Sequence, residues 1–182
     1  MVDAPDIKGR TIALVGLMGV GKSSVGRRVA TALKMPFVDA DVEIEAAAGR
    51  SVTDIFADMG ETEFRAGEHR VIKRIVEGDP VVLATGGGAF MHDGTRKLLK
   101  ARTVTVWLQA ELDVLAERAT RRDTRPLLRG KDPMEILAGL AEVRYPVYAQ
   151  ADVRVMTGDG LHRDAVRAVI AAVQDHYVRT AA

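Results

Sequence analysis

The strongest chemical signal in the sequence is the segment GLMGVGKS at positions 16–23, which fits the phosphate-binding pattern G-x-x-x-x-G-K-[ST] in full. Its glycines let successive backbone N–H groups face inward as an anion nest, and the dipole of a following helix adds positive charge. Lys22 is expected to reach the β- and γ-phosphates of a nucleoside triphosphate, and the Ser23 hydroxyl to bind Mg²⁺. The pattern therefore predicts a nucleotide site.

A dinucleotide site built on Gly19 and Gly21 is a weaker alternative. Ser24 occupies the place of the third glycine of that fingerprint, and Lys22 would have no role in it.

Two carboxylates, Asp39 and Asp41, stand one residue apart at the expected junction of a strand and a helix. Such a pair can divide the work of phosphoryl transfer. One carboxylate can hold Mg²⁺ through water, while the other accepts a hydrogen bond from an attacking hydroxyl. The alternative is that Asp41 only caps a helix that begins at Val42.

Further candidates are arginines and a glycine run, and with the two aspartates they favour a small-molecule phosphate acceptor. Arg65, Arg125 and Arg144 can make bidentate contacts to carboxylates or phosphates, although a lone arginine is most often a solvated surface residue. Arg125 lies in a charged segment, residues 120–130, that could fold over a nucleotide as a mobile lid. The run at 86–88 lets a ligand approach the backbone closely, unless it is a plain loop.

The elements that must position these residues alternate between strands and helices. This alternation predicts a parallel sheet covered on both faces, a three-layer α/β sandwich, with ligands at the carboxyl ends of its strands. The predicted strands are residues 11–15, 36–39, 80–84, 103–108 and 152–155. The predicted helices are residues 22–34, 41–48, 61–77, 111–119, 132–149 (with a break near Pro146) and 161–177.

Length and composition limit the class of protein. The chain has 182 residues, which suits one domain, and it contains no cysteine, which excludes disulfides, zinc–thiolate sites and a cysteine nucleophile. Aromatic residues make up 4% and the net charge is +1, so neither a stacking platform nor a global basic field favours nucleic-acid binding. No apolar run of about 18 residues is present, so no membrane partner is expected. The polar N-terminus predicts a cytoplasmic location.

Taken together, several motifs resemble those of the shikimate kinases, small P-loop kinases related in fold to the nucleoside monophosphate kinases. The likeness runs from about residue 11 to about residue 174. Its motifs are GLMGVGKSSVGR (16–27), FVDAD (37–41), IF (55–56) with GETEFR (60–65), GGGA (86–89), RPLL (125–128) and RYPVY (144–148). The resemblance implies transfer of the γ-phosphoryl of ATP to the 3-hydroxyl of shikimate, in the making of aromatic amino acids. It also implies a single kinase domain over residues 1–182, with substrate-binding helices at about 41–77 and a lid at about 120–130.

The resemblance also implies a role for each candidate residue. Residues 19–24 would wrap the ATP phosphates, with Ser23 binding Mg²⁺ directly and Asp39 through water. Asp41 would bind the shikimate hydroxyls and accept the proton. The remaining implied roles are a carboxylate clamp (Arg65 and Arg144), orientation of Arg65 (Glu68), a backbone contact to the ring (Gly87), the adenine face (Arg118), the transferring phosphoryl (Lys22 and Arg125) and the phosphate loop (Gly19, Val20, Gly21, Lys22, Ser23 and Ser24).

The sequence departs from the family in the adenine-side loop. Residues 155–157 match, but residues 158–160 are short and lack the usual arginine and proline, so backbone contacts are expected to substitute. A Walker B aspartate is also missing after the third strand, which fits the family's variant arrangement. The rival hypotheses are a kinase of gluconate or of a nucleoside monophosphate, and a nucleotide-binding regulatory module without catalysis. We expect a monomer.

Overall fold

The computed structural model describes residues 9–120, 132–158 and 162–181. Within these residues, five strands form one sheet with helices around it. The strands are β1 (Thr11–Val15), β2 (Phe37–Asp39), β3 (Val82–Ala84), β4 (Thr103–Gln109) and β5 (Val153–Met156). The α-helices are α1 (Lys22–Leu33), α2 (Ala40–Ala48), α3 (Val52–Val76), α4 (Asp93–Arg102), α5 (Leu112–Thr120), α6 (Pro133–Tyr148) and α7 (His162–Ala181), and a short 3₁₀-helix spans Ala89–Met91.

The sheet has the strand order β2-β3-β1-β4-β5, and every neighbouring pair is parallel. β1 lies at its centre, and all five of its residues are buried. The sequence explains this position, because a parallel strand covered on both faces must be apolar throughout rather than alternating. Helices flank the sheet, with α1 against α7, α3 against α4 and α5 against α6. The predicted α/β fold with a five-stranded parallel sheet is confirmed.

The sheet brings the candidate residues to one edge. The phosphate loop follows β1, the carboxylate pair ends β2 and begins α2, and the glycine run follows β3. Thr85 fastens the start of that run to β1, because both its backbone N–H and its hydroxyl donate to the carbonyl of Leu14, at 3.2 and 2.9 Å. The phosphate loop and the glycine run therefore leave the sheet side by side.

Several element predictions need correction. Most boundaries differ by a residue or two. The predicted helix 61–77 is the second part of α3, and the sequence does not predict the helical turns before it, which begin at Val52 and are capped by Ser51. At Gly60 the backbone leaves helical geometry (φ 77°, ψ 175°), a conformation open almost only to glycine, so α3 consists of two helices that meet in a kink at this residue. The sequence does not predict α4, a helix in which half of the residues are charged and which His92 caps.

The predicted break near Pro146 is also wrong. α6 continues through Pro146 to Tyr148, and the N–H of Ala149 donates to the carbonyl of Tyr145 at 2.9 Å. Proline removes one donor from a helix, and in the last turn this loss does not end the helix at that residue.

A small apolar cluster outside the main core joins α2 to α3. Its buried members are Ile44, Ile55 and Phe64, and Val52, Phe56 and Val71 pack around them. The cluster holds the segment before Gly60 against the helix that carries Arg65 and Glu68.

Candidate active site

The phosphate loop has the geometry of an anion nest. Gly19 and Gly21 have positive φ angles of 81° and 99°, and Gly21 caps the start of α1 in a left-handed conformation. Val20 is buried within the loop. This backbone turn can direct N–H groups toward a phosphate at the positive end of α1.

Lys22 lies over the loop. Its side chain is largely buried, and its Nζ donates to the carbonyls of Gly16 at 2.7 Å and Leu17 at 3.0 Å. The ammonium group is therefore held at the mouth of the nest, where a phosphate oxygen could exchange for these carbonyls.

Ser23 and Asp39 meet beside the loop, as the sequence predicted for a metal pair. The Ser23 hydroxyl donates to Asp39 Oδ2 at 2.6 Å, from the first turn of α1 to the end of β2. Hydroxyl and carboxylate oxygens are donors that Mg²⁺ prefers, so this pair could hold the ion, with Ser23 as a direct ligand, Asp39 acting through water, and phosphate and further waters in the remaining positions. Within the described residues, no group of three or more His, Cys, Asp or Glu side chains is arranged to hold a metal ion.

Asp41 is not the cap of α2. The helix begins at Ala40, and Asp39 caps it by accepting the backbone N–H of Asp41 at 3.1 Å. The Asp41 carboxyl is therefore available to a ligand. Desolvation by the surrounding protein and the charge of Asp39 raise its pKa above 3.8, against the lowering effect of Lys22 and Arg65. A raised pKa strengthens a carboxylate as a proton acceptor.

The three consecutive glycines form a surface on which charged side chains converge. A Cβ atom on Gly86 would lie 3.0 Å from Glu68 Oε1 and 3.1 Å from Asp41 Oδ1. On Gly87 it would lie 3.2 Å from Arg144 Nη1, and on Gly88 only 2.0 Å from Arg65 Nη2. Side chains at these positions would push the charged groups away, so the run serves close approach and is more than a plain loop.

Arg65 and Glu68 lie together on α3. Arg65 Nη1 donates to Glu68 Oε2 at 2.5 Å, and the guanidinium carbon lies 5.6 Å from the ring centre of Phe56 and 5.1 Å from that of Phe64. Glu68 is almost completely buried, and desolvation raises its pKa from 4.5 although Arg65 opposes the shift. Its Oε1 faces Gly86 without a hydrogen-bond partner among the described residues. Arg65 is thus fixed by a buried carboxylate and two aromatic faces.

Arg144 reaches the glycine run from the last turns of α6. Tyr148, one helical turn later, is buried and donates its hydroxyl to the carbonyl of Gly87. The sequence analysis predicts no role in the site for Tyr148, Phe56 or Phe64. The i, i+4 spacing of Arg144 and Tyr148 was the available signal, because it places both side chains on one helix face.

Arg118 lies on the other side of the phosphate loop. Its Nη2 donates to the carbonyl of Gly158 at 3.0 Å, and its Nη1 donates to the carbonyl of Gly19 at 3.5 Å. It joins the loop to the segment after β5, where the adenine contact was expected. The predicted lid, residues 120–130, and with it Arg125, falls outside the described residues apart from Thr120, as do residues 159 and 160 of the adenine-side loop.

A phosphate loop that leaves the central strand of a parallel sheet, beside charged groups from three helices, is the arrangement of a P-loop kinase. A family model described as Shikimate kinase matches residues 18–174. A shikimate kinase of Caulobacter vibrioides (strain NA1000 / CB15N) is 56% identical over 172 residues, which cover 94% of this chain and 86% of that protein. One from Zymomonas mobilis subsp. mobilis is 53% identical and covers 90% and 93%.

A solved structure agrees. The shikimate kinase from Acinetobacter baumannii in complex with shikimate superposes with a TM-score of 0.86 at 35% identity, covering 91% of this chain and 93% of that chain. The chain belongs to the shikimate kinase family, ATP-dependent enzymes that transfer a phosphoryl group to a hydroxyl of shikimate. The predicted family, enzyme class and function are confirmed. Among the described residues, no helix combines the length and apolar character needed to cross a membrane.

Proposed function

We propose that shikimate binds at the glycine run 86–88 and that its 3-hydroxyl receives the γ-phosphoryl of ATP there. The placement of the acceptor rests on one observation. Three charged side chains from different helices reach this run: Asp41, Arg65 and Arg144. The run also touches the phosphate loop, since a Cβ on Gly87 would lie 3.6 Å from the backbone nitrogen of Met18. Donor and acceptor would therefore bind side by side.

At the acceptor end, Arg65 and Arg144 would clamp the shikimate carboxylate. Two guanidinium groups can satisfy all the lone pairs of one carboxylate and fix its orientation. Asp41 would bind the ring hydroxyls and orient the attacking one, and its raised pKa supports a role as proton acceptor. Gly87 would contact the ring through its backbone.

At the donor end, the loop from Gly19 to Ser24 would wrap the phosphates, and Lys22 would exchange the carbonyls of Gly16 and Leu17 for phosphate oxygens. Phosphoryl transfer passes through a loose, negatively charged transition state, so these groups would act by positioning and charge neutralisation. Arg118 would lie on the adenine face, and its bond to Gly158 supports a nucleotide position between them.

Mg²⁺ is part of this proposal. Ser23 would bind it directly and Asp39 through water, and their 2.6 Å contact supports a shared ligand. When bound, the ion neutralises charge on the β- and γ-phosphates.

Three further parts of the proposal rest on the sequence. The whole chain acts as one kinase domain, with residues at about 41–77 as the acceptor-binding helices and residues 120–130 as a lid that brings Arg125 to the phosphoryl group. The enzyme acts as a monomer in the cytoplasm. It takes neither nucleic acid nor membrane as a partner. Light scattering at several protein concentrations tests the monomer.

The test of function is acceptor-dependent ADP formation by the purified chain with Mg-ATP. Shikimate, gluconate and several nucleoside monophosphates are compared, with a reaction lacking any acceptor to measure ATP hydrolysis. We expect rapid turnover with shikimate alone, and phosphorus NMR of the product should place phosphate on the 3-hydroxyl. Equal or greater turnover with gluconate or a nucleotide, or none with shikimate, would contradict the proposal.

A further inference from the structure

Tyr148 is a buried polar residue that the proposed chemistry leaves without a role. It lies in the last turn of α6 with 1% of its surface exposed, and its ring centre is 6.0 Å from that of Trp107. Phenylalanine would fill this space as well. The hydroxyl must therefore be explained by its partners, because a buried hydroxyl is costly unless it forms hydrogen bonds.

Those partners belong to the acceptor site. The Tyr148 hydroxyl donates to the carbonyl of Gly87, 61 residues away in the chain. Burial raises the pKa of Tyr148, and Arg144, one helical turn earlier, lies close enough to the same hydroxyl to oppose this rise. The Arg144 guanidinium also lies against Gly87, since Nη1 is 3.2 Å from the position a Cβ would occupy. Tyr148, Arg144 and Gly87 thus contact one another in a closed triangle.

The triangle also touches the donor site. The same Cβ position on Gly87 is 3.6 Å from the nitrogen of Met18 and 3.7 Å from the carbonyl oxygen of Gly16. A glycine peptide has wide rotational freedom, and Gly87 has glycine on either side. A fixed donor on its carbonyl removes that freedom and directs the peptide.

We propose that Tyr148 is a positioning residue for shikimate: its hydroxyl fixes the Gly87 peptide and the Arg144 guanidinium in the orientation that receives the acceptor. This inference rests on the proposed function. Tyr148 does not touch the reacting atoms, and its effect on the reaction passes through Gly87 and Arg144.

The experiment compares Tyr148→Phe with Tyr145→Phe. Both substitutions remove one hydroxyl from the same helix and keep the ring. Tyr145 packs on the same tryptophan as Tyr148, with its ring centre 5.2 Å from that of Trp107, so it serves as the matched control. Tyr148→Phe should raise KM for shikimate about tenfold, the effect of losing one buried hydrogen bond and loosening one clamp arm. KM for ATP should stay within about twofold of wild type, because the substitution does not alter the groups proposed to bind the nucleotide.

The control and the stability measurement separate positioning from packing. Tyr145→Phe should leave both KM values within about twofold of wild type. An unchanged KM for shikimate in Tyr148→Phe would overturn the inference, as would equal changes in both KM values. Failure of this variant to fold, or a midpoint of thermal unfolding far below that of Tyr145→Phe, would assign Tyr148 to packing and also overturn it.

Failure of the proposed function has a different signature. Wild-type enzyme would then show no shikimate-dependent turnover, or Arg144→Ala would leave KM for shikimate unchanged. Either result would remove the basis of the inference before Tyr148 is tested, whereas an effect of Arg144→Ala without one of Tyr148→Phe overturns the inference alone.

Discussion

Replacing Gly88 with alanine tests whether Arg65 lies where the acceptor carboxylate binds. Gly88 has φ −97° and ψ −6°, a conformation that alanine adopts freely, so the backbone gives no reason for strain. The new Cβ would lie 2.0 Å from Arg65 Nη2 and 2.6 Å from its Cζ. Since ordinary contact begins at 3.4 Å, Nη2 must move by about 1.4 Å.

This displacement should weaken binding of the acceptor and also cost some stability. The guanidinium is the end of a long side chain and can move without the backbone, but moving it loosens its ion pair with the buried Glu68. A hydrogen bond to a charged group is worth about 1.5–3 kcal/mol, and losing that contribution to the carboxylate corresponds to roughly a 10- to 150-fold rise in KM for shikimate. The rise should be confined to the acceptor, because the three atoms nearest to the new Cβ all belong to Arg65.

The assay varies shikimate and ATP separately and adds a thermal unfolding scan. Gly139→Ala is the control: Gly139 is exposed on α6 with nothing within 4 Å of its Cβ position. That substitution should leave both KM values unchanged and stabilise the helix by up to about 1 kcal/mol. If Gly88→Ala keeps KM for shikimate within about twofold of wild type, Arg65 does not bind the carboxylate from its present position, and the argument fails.

Three further predictions concern the other charged groups. Asp41→Asn should lower kcat by about 10²-fold or more while nucleotide affinity, measured by titration, stays constant; a large loss of ATP binding would instead place Asp41 at the metal. Arg125→Ala should lower kcat by about 10³-fold in the same steady-state assay, and a change under about threefold would remove Arg125 from the phosphoryl group. Glu68→Gln should change how stability depends on pH. Because burial raises the pKa of Glu68 above 4.5, the stability due to its protonated form is present below 4.5 and is lost as pH rises through the raised pKa. In urea unfolding at several pH values, the stability of the variant relative to wild type should therefore increase as pH rises from 4.5. A difference in stability that stays constant with pH would contradict the raised pKa of Glu68.

The parts of the fold that follow from local sequence could be predicted. β1 is an unbroken apolar run that ends in a glycine, and the phosphate loop must lie between a strand and a helix, so both were placed from the sequence. Charge pairs at helical spacing were also accessible, as with Arg65 and Glu68. In these cases the information lies within a few neighbouring residues.

Other features depend on contacts between distant segments and could not be predicted in this way. Half of the residues of α4 are charged, and the adjacent Leu98 and Leu99 give too weak a pattern to identify a helix. The helix after Gly60 is predicted from its own pattern, but the helical turns from Val52 to Gly60 depend on the apolar cluster around Ile55 and Phe64, which joins the two sides of the kink. The bond of Tyr148 to Gly87 joins residues that nothing in the sequence pairs.

The glycine run relates the acceptor site to the donor site through the sheet. Thr85, the residue before the run, donates two hydrogen bonds to the carbonyl of Leu14 in β1. The start of the run is therefore held in register with the strand that leads into the phosphate loop. The three glycines have no side chains, so the carboxylate of Asp41 on α2 can approach this short stretch of backbone. The guanidinium groups of Arg65 on α3 and Arg144 on α6 approach it as well. We therefore expect the pairing of β1 with β3 to set the distance between the phosphoryl group and the attacking hydroxyl, and the helices to determine which acceptor is held at that distance.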